Sequence, residues 1–102
     1  MRILKYELEI ADQTIQIKGQ NAIPLSVAEQ NGRLVMWAMV DEIIHSTEQC
    51  MIDVYIVGTG WEIPDRLQPK GLFNSTVSFV GTVTMTTGLV WHVFSETVWA
   101  GV

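Results

Sequence analysis
The chain has 102 residues, 48% hydrophobic and only 17% charged, with a net charge of −5. Six Lys and Arg against eleven Asp and Glu leave no basic stripe with which to neutralise a duplex backbone, although one or two cations suffice for a small anion. One cysteine, Cys50, excludes an intramolecular disulfide framework and a cysteine-based metal cluster.

A chain of this length fits one domain that buries roughly 60–70% of the surface its unfolded form exposes. The apolar surplus must lie in a core, a ligand pocket or a subunit interface, so a homo-oligomer is expected. MRILKYELEI alternates charged and apolar residues and lacks the apolar core of a signal peptide. No apolar run approaches the ~18 residues of a membrane span, so no membrane association is expected and the cytoplasm is the default location.

Period-2 alternation runs through most of the chain. Residues 2–10 place Leu4, Tyr6, Leu8 and Ile10 on one face, and residues 11–13 read as a turn. Residues 14–18 form a second strand, and Gly19-Gln20-Asn21 a second turn. Residues 23–29 alternate again, with Pro24 arguing for an edge position or a strand start. Asn31-Gly32 is the strongest local signal, because both residues tolerate the positive φ of a type I′ turn, and residues 23–30 should pair with 33–41. RLVMWAMVD, 33–41, is apolar on both faces and reads as a central strand or one covered by another subunit.

Residues 42–49 read as a polar loop containing His45, and residues 50–57 as a strand ending at Gly58-Thr59-Gly60. Residues 61–75 are irregular, with one helical turn near Pro64–Leu67. Residues 76–85 form a strand whose Gly81 marks a bulge or a close approach, and residues 89–94 return as the last strand. The tail, 95–102, packs through Val98 and Trp99 or frays. The expected fold is all-β: a small antiparallel β-sandwich or partly open barrel of about seven strands, most simply a meander of hairpins.

No nucleophile, base and orienting group stand together in the sequence, and two distant histidines with one cysteine give no metal-ligand spacing, so neither an enzyme nor a metal or cofactor is expected. Asp53 reads as a satisfied strand carboxylate, and Cys50 lacks the flanking cations of a low-pKa thiolate. His92 is either a partly buried histidine with backbone or hydroxyl partners or a hydrogen-bonding or stacking group in a pocket.

The segment IVGTGWEIPDRLQPKG, 56–71, holds the candidate site. Gly58, Thr59 and Gly60 are either a strand-ending turn or a backbone nest whose N–H groups face an anion. Trp61 follows directly, well placed to stack on a flat ring, and Arg66 and Lys70 are the cations of the same loop. An aromatic face with nearby cations suits a nucleotide-like ligand. The alternative is a loop folded over the sheet as a plug, with Trp61 and Leu67 inserted.

Four stretches in order carry a resemblance: QNGRLVMWAMVD (30–41), IVGTGWEIP (56–64), FVGTV (79–83) and GLVWHVF (88–94). The chain resembles a family of small bacteriophage proteins known only as a domain of unknown function. The resemblance departs at a longer 65–78 insert and a tail after Phe94, and it implies a phage origin but no catalytic residues. By analogy with compact phage proteins that sequester host immune signals, the expected function is non-enzymatic binding of a nucleotide-derived small molecule, such as a cyclic ADP-ribose isomer or a cyclic oligonucleotide. The expected ligand contacts are Gly58, Thr59, Gly60, Trp61, Arg66, Lys70 and His92. The alternative is a protein–protein interaction module that inhibits a host protein or serves as a minor structural phage component.

Overall fold
The computed structural model describes residues 1–42, 49–67 and 76–99. Among the described residues, six antiparallel strands appear in chain order: β1 (Arg2–Leu8), β2 (Gln13–Gln30), β3 (Arg33–Glu42), β4 (Gln49–Gly58), β5 (Ser78–Thr84) and β6 (Val90–Trp99). A 3-10 turn at Asp65–Leu67, closed by Leu67 N–H donating to Pro64 O at 2.9 Å, is the helical turn expected there. Of the expected polar loop at 42–49, Glu42 ends β3 and Gln49 begins β4; residues 43–48, with His45, lie outside the described residues, as do residues 68–75 and the last three of the tail.

The expected turn at 19–21 is absent. β2 runs through it as one strand, with a register shift between Gly19 and Asn21, and serves two layers. Its first part pairs with β4, Ile15 opposite Ile52. Its second part pairs with β3, Ile23 opposite Met39. The second and third expected strands are therefore two halves of one strand, which keeps seven pairing segments in six elements. Pro24 lies in the half that has a ladder only on its β3 side, next to a second register shift, where a missing N–H is tolerated.

The strand order is β1-β3-β2-β4-β6-β5, which departs from a simple meander. β3 is apolar on both faces and takes the place between β1 and β2, so β1 skips its sequence neighbour. The Asn31-Gly32 turn forms as expected, with φ of 54° and 77°, and sets Gln30 opposite Arg33. β6 runs on through the expected tail as far as Trp99, opposite Cys50.

One layer holds β1, β3 and the second half of β2; the other holds the first half of β2 with β4, β6 and β5. The inward faces form one core from Leu34, Met36, Ala38 and Val40 of β3, Cys50, Ile52, Val54 and Ile56 of β4, and Val83, Trp91 and Val93 of β5 and β6. Burial pushes the Cys50 thiol up, against a smaller opposing backbone hydrogen bond at Ala22, as suits an unreactive core sulfhydryl.

β5 folds back against the second half of β2 without a ladder between them. A β-carbon on Gly81 would lie 2.9 Å from Val27 Cγ2, so the expected bulge and close approach coincide at this seam. Beyond it, Glu29 accepts from the Thr86 N–H at 2.6 Å and hydroxyl at 2.7 Å. Gly81→Ala is expected to lower stability by about 1–3 kcal/mol, the usual cost of overpacking, read as a lower urea midpoint.

Candidate functional site
The outward face of β4 and β6 carries a second apolar cluster: Tyr55, Val57 and Leu67, with Val77 and Phe94 packed against it. Leu67 is buried there, so the chain after β4 returns over this face. Gly58 ends β4, and the turn that follows contains Gly60 at φ 86°. A β-carbon on Gly58 would lie 2.7 Å from Trp61 Cε2, so the indole rests where any other residue would put its side chain. The Trp61 ring also meets Trp91 edge to face, with centroids 5.4 Å apart.

Between the turn and β5 lies a cavity of ≈ 290 Å³ lined by Val57, Gly58, Thr59, Gly60, Trp61, Ile63, Phe79, His92 and Phe94. Trp61 and Ile63 enter from the β4 side and Phe79 from β5, on either flank of β6. Trp61 and Phe79 are each 57% exposed, so both aromatic side chains stay accessible to a ligand. Phe79 is also held edge to face against Phe94 at 5.3 Å.

His92 supplies the polar wall. Its Nε2 lies 2.7 Å from Thr59 Oγ1 and its Nδ1 lies 2.9 Å from Thr82 Oγ1. The ring nitrogens thus have the hydroxyl partners of the structural reading, and the ring also lines the cavity. Asp53 accepts from the Thr14 hydroxyl at 2.7 Å and is the satisfied strand carboxylate expected of it. Among the described residues, no three His, Cys, Asp or Glu side chains converge as a metal site.

Five of the seven expected contacts, Gly58, Thr59, Gly60, Trp61 and His92, line this one cavity. Of the expected nest, the Thr59 N–H is engaged, donating to Val90 O at 3.4 Å, and the Trp61 N–H that follows the nest donates to Gly58 O at 3.1 Å. A turn that ends a buried strand satisfies its own backbone first. Arg66 lies in the 3-10 turn; its side chain and all of Lys70 fall outside the described residues. Leu67 is the plug, and Trp61 forms part of the cavity wall.

Val57, Ile63, Phe79, Thr82 and Phe94 were not expected at the site. Phe94 shares the strand parity of His92 and was within reach of that rule. Phe79 and Thr82 have opposite parity, and only the bulge between Phe79 and Gly81 turns both outward, opposite Phe94 and His92. A broader open cleft of ≈ 700 Å³ lies at the seam, lined by residues of β2, the Asn31-Gly32 turn and β5. Its carboxylate, Glu29, is already engaged by Thr86.

The family model of a domain of unknown function, DUF7352, matches residues 1–100. The chain belongs to the DUF7352 family. No curated protein and no solved structure matches it. In this DUF7352 chain the family match spans both layers and every residue lining the cavity.

Proposed function
We propose that the protein is a non-enzymatic binding protein that holds a small nucleotide-derived molecule by its flat ring in the Trp61–His92 cavity. The observation that carries this reading is the convergence of two exposed aromatic side chains, Trp61 and Phe79, with the hydrogen-bonded His92–Thr59 pair. At ≈ 290 Å³ the cavity is at the low end of small-molecule sites, enough for one ring system.

The resemblance to phage proteins extends the proposal to a role. The protein sequesters a host immune signal, such as a cyclic ADP-ribose isomer or a cyclic oligonucleotide, as a homo-oligomer in the cytoplasm of an infected cell. Retention rather than turnover suits the polar wall. Thr59, His92 and Thr82 stand in line like a nucleophile, a base and an orienting group, but the third group is a hydroxyl, which does not stabilise an imidazolium as a carboxylate does. The Thr59 N–H donates across to Val90 O of β6 and the Trp61 N–H to Gly58 O within the turn, so neither is aimed at an oxyanion.

Native mass spectrometry of the protein mixed with a panel of cyclic nucleotide signals tests the proposal. The expected result is one signal retained intact at stoichiometric occupancy on a defined oligomer. Retention of none, or recovery of cleaved products, overturns it.

One observation favours a second reading, an interaction module. On the outward face of the other layer, Ile3 and Ile23 both stand opposite Met39 and are 60% and 51% exposed. Such an apolar stripe suits a protein partner. Stoichiometric recovery of one host protein, lost in an Ile3→Lys/Ile23→Lys variant, supports this reading over the first.

A further inference from the structure
Two polar side chains of the cavity wall, His92 on β6 and Thr59 just after β4, are joined in a hydrogen-bonded chain that continues behind His92 to Thr82 on β5, which does not itself line the cavity. A neutral imidazole has one N–H and one acceptor nitrogen, so the chain has two complete arrangements. In one, the Thr82 hydroxyl donates to Nδ1 and the Nε2–H donates to Thr59, whose own O–H is left to donate onward. In the other, the Thr59 hydroxyl donates to Nε2, the Nδ1–H donates to Thr82, and Thr59 is left with lone pairs to accept. A change of tautomer thus decides whether this cavity-lining hydroxyl has its O–H free to donate to a ligand, while a lone pair remains to accept in either arrangement.

We propose, resting on the binding reading above, that the cavity takes an uncharged heteroaromatic ring of nucleobase type, and that Thr59 meets the ring edge as donor or acceptor according to what that edge offers. The aromatic faces of Trp61 and Phe79 suit such a ring, and the cavity volume admits one. None of the described lining residues is Asp, Glu, Lys or Arg, so this wall offers a charged group no ion-pair partner and suits an uncharged ring. The relay makes the site tolerant of an amino or a carbonyl edge while selecting against a ring that bears neither.

The test is titration of the protein with adenosine (amino edge), inosine (carbonyl edge), purine riboside (neither) and adenosine monophosphate, followed by tryptophan fluorescence and calorimetry. Adenosine and inosine are expected to bind within about threefold of each other, and both about three- to tenfold more tightly than purine riboside, the scale of one hydrogen bond. The monophosphate is expected within about threefold of adenosine, because the recognised end is the ring. Thr59→Val should bring adenosine and inosine down to purine riboside, and Thr59→Ser should restore the preference. The inference is overturned if adenosine and inosine differ more than about tenfold, if the phosphate improves binding by that factor, or if Thr59→Val keeps the preference. If cyclic signals are retained but no nucleoside binds, the inference falls and the binding reading stands; if nothing binds, both fall.

Discussion

Ile52→Ala is expected to lower the free energy of unfolding by about 2–5 kcal/mol, the range for a buried aliphatic truncation that leaves a cavity. Ile52 has no exposed surface and sits mid-way along β4, between Ile15 of β2 and Thr97 of β6. Its side chain faces the Leu34–Val40 row of the opposite layer, within the same core. Domains of this size are held by only about 5–15 kcal/mol, so the loss is a large share of the total. Urea unfolding of Ile52→Ala beside Phe79→Ala reads the contrast, because Phe79 is mostly exposed and its truncation should change the midpoint little. Equal effects in the two variants would contradict the placement of the core between the layers.

Trp61→Ala is expected to weaken ligand binding by about 1–3 kcal/mol, the range of one base–aromatic stack. That is roughly a five- to 150-fold rise in Kd. Stability should change little, since Trp61 is already more than half exposed. Gly58→Ala supplies an independent route to the same loss. A methyl group at Gly58 occupies the space of the indole, so the ring must leave its place against Trp91 although its chemistry is untouched. Calorimetry should show weaker binding in both variants, and Trp61 emission should shift in Gly58→Ala. Full affinity in Gly58→Ala would mean that the ring binds from some other position.

The all-β class and most strand positions were legible because alternation reports burial directly, and Asn31-Gly32 determined one hairpin with its register. The path of β2 was not legible, because a glycine between two alternating runs reads equally as a turn or as a bend in one long strand. The place of β1 beside β3 follows from which strand needs cover on both sides, which local pattern does not rank. Trp61 and His92 stood out as chemistry in unusual places. Their neighbours did not, because a bulge near Gly81 reverses the parity that links Phe79 and Thr82 to the same face. Lining residues from β4, the following turn, β5 and β6 meet only once the strand order is known.

The most direct test of the account is backbone amide chemical-shift mapping of the isotopically labelled protein, titrated with the ligand retained in native mass spectrometry or, failing one, with adenosine. The residues expected to shift are Gly58–Ile63, Phe79, Thr82, His92 and Phe94, with the Trp61 indole N–H among the largest changes. Shifts confined to Ile3, Ile23 and Met39 on the opposite layer, with the Trp61 and His92 signals unmoved, would contradict it.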